Sequence, residues 1–284
     1  MRPLSQWPVE ARRHIIGVFT DIDDTLTTEG AITADALQAL ADLKAAGLHV
    51  IPITGRPVGW TAPLAVSWPV DAIVVENGAV ALKMLHSAAV AKDVVENTPK
   101  IGIQPAFLLP GLLSKIYQQD ATTRADNLTR MARIAQRVLA QVPAAVLSRD
   151  HAGRETDLAF DYKEFEDLPP ETVQDILAVL QQAGMQTAVS SIHIHGSFGH
   201  FDKWQGACWI VRQLFQRDLA QELDRWVFVG DSGNDQAMFQ HFTHTVGVAN
   251  IRRFEAQLQH RPRYITRAER GAGFAEVARA VLTA

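Results

Sequence analysis

The sequence predicts an α/β fold: a parallel sheet covered by helices on both faces, interrupted by a second, α+β unit. Three observations carry that expectation. Short β-branched apolar runs alternate with helical patterns through residues 1–84, and the same alternation returns from about residue 196. Between them lie strands in which apolar and polar residues alternate, the mark of a sheet with one polar face. A chain of 284 residues, 47% hydrophobic and 20% charged, is long enough for more than one core and too apolar to remain disordered.

The elements follow in order. "HIIGVFTDI" (14–22) is apolar and β-branched and predicts a buried strand. "TADALQALADLKAAG" (33–47) predicts a helix, with Thr33 at the cap position, Asp35 in the first turn, Leu37, Leu40 and Leu43 at helical spacing, and Gly47 as the stop. "LHVIPIT" (48–54) is the next strand and "DAIVVENG" (71–78) a third. Strand, helix, strand in this rhythm requires right-handed crossovers, hence parallel strands. Pro52 breaks the pattern, because it brings no N–H to a ladder; the second strand is expected to be short or bulged before Thr54.

Residues 126–143 predict a helix, 154–165 a half-exposed strand, 169–184 a helix with proline at its start and glycine at its end, and 185–198 one further strand. After these, 203–216 is helical, 225–235 is strand and loop, and the chain closes as strand, loop and helix.

Composition excludes several classes. A net charge of −4 gives no support for nucleic-acid binding. The single cysteine, Cys208, cannot staple a fold or build a thiolate metal site, and it suits a reducing, cytoplasmic setting. The first residues lack the apolar core of a signal peptide, and no run reaches the roughly 18 apolar residues of a membrane span. The oligomeric state is not readable.

The chemistry gathers where strands end, as it does in open parallel sheets. "GVFTDIDDTLTTEG" (17–30) sets Asp21, Asp23 and Asp24 within four positions behind an apolar run. Alternation places Asp21 and Asp23 on one side with Ile22 opposite. Neighbouring carboxylates in a partly dry site stay ionised only with a cation between them, and an all-oxygen ligand set suits Mg²⁺. "FVGDSGND" (228–235) adds Asp231 and Asp235 in a loop of small residues, "ITGR" (53–56) adds Thr54, Gly55 and Arg56, and "FDK" (201–203) opens a helix with Lys203. Carboxylates, metal, hydroxyl and lysine around one point describe phosphoryl transfer.

"DIDDT", "TGR", Lys203 and "GDSGND" resemble, in order and context, the four motifs of the haloacid dehalogenase superfamily of phosphohydrolases. "ENGA" (76–79) and the long insert resemble its Cof-type branch, which includes phosphatases of sucrose and trehalose phosphates. The resemblance implies a Rossmann-like parallel-sheet core, residues 1–84 and 196–284, with an inserted α+β cap, 85–195, that selects the substrate. It implies a Mg²⁺-dependent phosphatase acting on a small phosphorylated metabolite, a sugar phosphate for preference, through an aspartyl-phosphate. Asp21 would be the nucleophile and Asp23 the general acid and base. Asp21, the Asp23 carbonyl and Asp231 would hold Mg²⁺, with Asp235 and Asn234 behind them. Thr54, Gly55, Arg56, Asn77 and Lys203 would bind the phosphate ester, and Asp24 would fix the loop or hold a metal-bound water. A phosphomutase and a non-catalytic phosphosugar-binding regulator are the alternatives.

Some residues stay open. Arg56 reads as a substrate contact or as a surface arginine paired with a nearby acid, and Glu76 and Asn77 read as a turn in preference to a substrate contact. Arg154, Glu155, Asp157 and Asp161 read either as hydroxyl-recognising residues or as a solvated face. His193 and His195 share a strand face, which without a third ligand favours a polar surface turned to substrate over a zinc site; His200 lies nearby.

Overall fold

A computed structural model describes residues 1–85 and 113–284. The chain opens with β1 (Arg2–Pro3), α1 (Val9–Arg12) and β2 (Gly17–Thr20), then a small hairpin of β3 (Thr27–Thr28) and β4 (Ala31–Ile32). It continues through α2 (Ala34–Ala45), β5 (His49–Pro52), α3 (Val58–Ser67), β6 (Ile73–Val75), β7 (Val80–Met84) and β8 (Leu113–Tyr117). Next come α4 (Ala121–Gln141), β9 (Val146–Leu147), β10 (Asp157–Asp161), α5 (Pro170–Gln182), β11 (Gln186–Val189) and β12 (His193–Ser197). The last part holds α6 (Lys203–Phe215), β13 (Trp226–Gly230), α7 (Gln236–His241), β14 (His244–Gly247), β15 (Tyr264–Ile265) and α8 (Arg270–Leu282).

The predicted α/β class is borne out. Six strands form one parallel sheet in the order β1-β15-β14-β13-β2-β5. Its central strands are apolar throughout because both faces are buried. Val18, Val50, Val227 and Val229 pack with Leu40 and Leu43 of α2 and Phe274 and Val277 of α8 on one face. Phe19, Ile51, Trp226 and Phe228 pack with Ala207, Ile210 and Val211 of α6 on the other. Two details of α2 depart from expectation. Thr33 holds the cap position without a side-chain cap bond, and Leu37 is 38% exposed, so Ala36, Ala39, Leu40 and Leu43 form the buried stripe.

Pro52 turns out to lie where no donor is needed. The amides of His49 and Ile53 donate to β2, at Ile16 O and Thr20 O, so the intervening even-numbered amides face the opposite edge. There Val50 N donates to the Asp71 carboxylate and Thr54 N to Val74 O. Pro52 falls between those two bonds, and the register Phe19↔Ile51, Thr20↔Pro52 runs on without a bulge.

The third predicted strand, β6, meets the parallel sheet through one parallel bridge, Ile53↔Val74, and then pairs antiparallel with β7, which pairs with β8. Residues 113–117, expected inside the insert beginning at 85, are thus hydrogen-bonded to the strand that precedes it. Residues 86–112 of that insert lie outside the described residues.

The middle of the chain forms a four-stranded antiparallel sheet, β11-β12-β10-β9, with α4 and α5 on one face. Residues 185–198 are two strands, not one, folded back through Ser190 to Ile192. Leu158, Phe160 and Ile194 point into the helices, with Met131, Val138 and Leu180 around them. The opposite face carries Asp157, Asp161, His193 and His195, every one of them buried. Within the half-exposed strand expected at 154–165, β10 (Asp157–Asp161) is therefore fully buried, since its polar face lies against the sheet edge of the core, while Lys163 and Phe165 beyond it are exposed.

Candidate active site

Asp21 follows the end of β2, held by its amide donating to Val229 O on the neighbouring strand at 2.9 Å. Its carboxylate accepts from Lys203 Nζ at 2.6 Å, and the same ammonium donates to Asp235 Oδ1 at 2.7 Å. Lys203 is the first residue of α6, whose Asp202 cap accepts from Gln205 N. That helix sits close to the loop after β6: a methyl on Gly206 would lie 2.5 Å from Gly78 Cα, so only glycine lets the lysine come this near. Asp235 Oδ2 accepts from the amides of Asp231 and Ser232 at 2.8 and 3.1 Å, which fixes the loop carrying Asp231.

Asp231 is fully buried, with Asn250 Nδ2 donating to one oxygen at 3.1 Å and the Thr25 hydroxyl 3.5 Å from the other. Carboxylate oxygens of Asp21, Asp231 and Asp235 lie within 4.8 Å of one another. Burial raises Asp21 to about 7 against the pull of Lys203, with Asp235 and Asp23 adding to the rise. Burial, with Asp21 and Asp235 beside it, drives Asp231 well above the usual carboxylate range. Oxygen donors that are crowded, dry and short of positive charge fit a hard divalent cation such as Mg²⁺.

Asp23 lines the same cavity as Asp21, while Ile22 between them packs into the core. Arg56 grips both Asp23 oxygens, with Nε at 3.0 Å from each and Nη2 at 2.9 Å from Oδ1. Arg56 is 5% exposed, neither a surface residue nor free to contact substrate in this state. It also reaches Glu164 at 2.6 Å and Asp150 at 3.3 Å and lies over the Trp60 ring. Thr54 is buried in the cavity wall, its hydroxyl accepting from Arg56 N at 3.0 Å. Asn234 Nδ2 donates to Asn77 Oδ1 at 3.4 Å. Asp24 stands apart from the cavity: it has a positive φ, pairs with Arg270 at 3.0 Å, and its carbonyl accepts from Asn250. Of its two expected roles, the geometry matches the fixing of the loop.

Several residues in this region take roles the sequence left open. Glu76, expected as a turn residue in preference to a substrate contact, does have a positive φ, but its buried carboxylate also accepts from Val58 N, Glu155 N and Thr156 N and from the Thr156 hydroxyl, tying residues 155–156 to the core. Arg154 donates to Gly55 O at 3.0 Å and to Asp157 and Asp150. The predicted cap residues Arg154, Asp157 and Asp161 are buried braces, and Glu155 is paired with Tyr117 and Lys115. Asp150 and Glu164 have no motif around them and are found only through the fold. His193 comes within 4.8 Å of Asp161 and Glu164, a trio that leaves out His195, the residue with which the zinc reading paired it. Both carboxylates are engaged, however: Glu164 by Arg56 and Asp161 by the amides of Glu164 and Phe165. His200 is exposed.

The cavity between Asp21, Asp23 and Thr54 on one side and Ser191, His193 and His195 on the other has a volume of about 10 Å³. A larger groove of about 570 Å³ lies beyond Arg56, lined by Trp60, Arg149, Asp150 and Phe165. Among the described residues no helix is long and apolar enough to cross a membrane.

Residues 18–104 match the family model of haloacid dehalogenase-like hydrolases, and residues 202–279 match that of sucrose-6F-phosphate phosphohydrolase. No curated protein matches the chain. Solved structures share its fold. A Thermoplasma acidophilum protein superimposes with a TM-score of 0.65 at 16% identity, over 95% of this chain and 99% of its own. The sucrose-phosphatase of Synechocystis sp. PCC6803, solved with sucrose and phosphate, gives 0.61 at 14% identity, over 95% and 98%. A subclass IIB sugar phosphatase gives 0.56 at 14%, over 94% and 97%. At such identities the likeness speaks for the fold.

Proposed function

From the match of residues 18–104 to haloacid dehalogenase-like hydrolases and of 202–279 to sucrose-6F-phosphate phosphohydrolase, we propose that the chain hydrolyses a small phosphate monoester, a sugar phosphate for preference, through a phosphoaspartate on Asp21. The observation that carries this reading is the contact of Lys203 with both Asp21 and Asp235, 2.6 and 2.7 Å away, with an Asp231 oxygen within 4.8 Å of those carboxylates and Asp23 lining the same cavity as Asp21.

An Asp21 oxygen attacks phosphorus and the bond from phosphorus to the leaving oxygen breaks. Asp23, as general acid, passes a proton to that oxygen, so the leaving group departs as an alcohol. Water then attacks the acyl-phosphate while Asp23 takes its proton, releasing inorganic phosphate and restoring Asp21. Lys203 neutralises the charge that Asp21 and the phosphoryl oxygens bring together, and the Thr54 hydroxyl donates to one of those oxygens. Arg56, bound to both Asp23 oxygens, fixes the direction in which that carboxyl faces. Asp21, Asp231 and the Asp23 carbonyl would hold Mg²⁺, which when bound supplies positive charge beside the phosphoryl group.

A cavity of about 10 Å³ admits no more than one water, so substrate entry requires residues 190–195 to lift from the core. Their return excludes water from the phosphoaspartate until the alcohol has left. The leaving group would extend past Arg56 into the larger groove. The test is a phosphate-release screen over phosphorylated metabolites and p-nitrophenyl phosphate with Mg²⁺, with Asp21→Asn beside the wild type. Turnover by the wild type and at least a ~10³-fold loss in the variant are expected. Equal rates would refute the mechanism.

A further inference from the structure

One buried side chain over the nucleophile has chemistry that phosphoryl transfer leaves unused. His195 on β12 is 3% exposed and turned toward the core. Its Nδ1 lies 3.1 Å from Asp157 Oδ2, and that carboxylate also accepts from Arg154 Nη1 at 2.9 and 3.1 Å. A carboxylate only accepts, so Nδ1 carries the ring proton and Nε2 presents a lone pair. Burial, followed by the nearby Arg154, holds the imidazole well below its ordinary 6.5, so the ring is neutral at physiological pH.

Nε2 faces the phosphoryl side of the cleft: a methyl on Gly55 would lie 2.9 Å from it, and His195 shares a cavity wall with Asp21, Asp23 and Thr54. Among the described residues no donor is bonded to Nε2. A buried acceptor aimed at a ligand site selects for a donor on the ligand. The phosphoryl oxygens are acceptors themselves and are served by Lys203 and Thr54 on the core side.

We propose that His195 Nε2 accepts a hydrogen bond from a hydroxyl of the leaving group, with Asp157 as the positioning residue that fixes its ring and tautomer. The inference rests on the phosphatase reading and narrows the substrate to phosphate esters of polyols that carry a hydroxyl near the ester oxygen. A leaving group without hydroxyls gains nothing from His195.

The experiment compares glycerol, pentose and hexose phosphates with p-nitrophenyl phosphate, whose leaving group has no hydroxyl beyond the ester oxygen. His195→Asn keeps an N–H for Asp157 and removes the acceptor; His195→Gln returns a polar atom near the Nε2 position. The wild type should favour at least one polyol phosphate over p-nitrophenyl phosphate in kcat/KM. His195→Asn should lower that value about 10- to 100-fold while leaving p-nitrophenyl phosphate within about threefold, and His195→Gln should recover part of the loss. Asp157→Asn should reduce the same discrimination, which a merely structural role would not touch selectively. Equal losses on both substrates, no loss at all, or a wild type without polyol preference would each overturn the assignment. Turnover of p-nitrophenyl phosphate that is unaffected by Asp21→Asn would instead overturn the phosphatase reading beneath it.

Discussion

Replacing Lys203 with methionine keeps the apolar stem and deletes the ammonium that lies 2.6 Å from Asp21 and 2.7 Å from Asp235. Three carboxylates with oxygens inside 4.8 Å then face one another without their cation. Two unit charges at that spacing repel by about 3 kcal/mol at an effective dielectric constant of ~20, and breaking a buried ion pair from one side costs about 3–5 kcal/mol. We expect a deficit of that size at pH 8 in urea unfolding followed by circular dichroism, with EDTA present throughout. Burial already raises the Asp21 carboxyl to about 7 with the lysine in place, and without it the value rises further. A carboxyl raised by folding contributes stability that is complete below its ordinary value of 3.8 and lost as pH climbs through the folded value. Protonation therefore supplies at low pH what the lysine supplied, and the deficit should shrink by up to ~1.4 kcal/mol between pH 8 and pH 5.5, the one unit that separates pH 8 from the wild-type value of about 7. A deficit below ~1 kcal/mol at pH 8, or one that does not change with pH, would refute the reasoning.

Other perturbations probe how the inserted unit is held. A methyl at Gly59 would sit 2.8 Å from Gly153 Cα, backbone against backbone, so Gly59→Ala should push the two units apart at a cost of about 1–3 kcal/mol, beyond the ~1 kcal/mol that alanine gains in a helix. Faster limited proteolysis near residue 153 with an unchanged core would report it; unchanged proteolysis would count against the contact. Asp150 and Glu164 are both held down to about 2, where Arg154 and the Ser148 hydroxyl in the first case, and His193 and Arg56 in the second, outweigh burial. A depressed carboxyl contributes stability present above its ordinary value and lost as pH falls through the folded one, so the Arg56 latch should weaken from about pH 4 toward pH 2. Trp60, under the Arg56 guanidinium, should then change its fluorescence, and a signal flat across that range would exclude the latch. Arg56→Lys cannot hold Asp23, Glu164 and Asp150 together and should lower kcat about 10-fold or more without unfolding the core; full activity would show that Asp23 needs no such brace.

The sequence by itself determined the parallel core and the residues that end its strands. Apolar runs such as 17–20 and 226–230 have few alternatives to burial on both faces, and the connections between them force parallel order, so Asp21, Thr54 and Asp231 arrive at one sheet edge almost by construction. Lys203 was legible because it opens a helix directly after the insert. Only the tertiary structure decided what the polar strand of the insert faces. Alternation in 154–165 shows two unlike faces, but it does not say whether the polar one meets water or another protein surface, since both place charged residues at the same spacing. Burial turned Arg154, Asp157 and His195 into a braced wall over the cavity that Asp21 lines, and Glu76 into the anchor of residues 155–156. Pro52 and Arg56 share that lesson: the missing N–H of the first costs nothing on an edge where no bond is made, and the second found its acids, Asp150 and Glu164, about a hundred residues away. Partners that far apart are chosen by how two surfaces dock, and local pattern carries no record of docking.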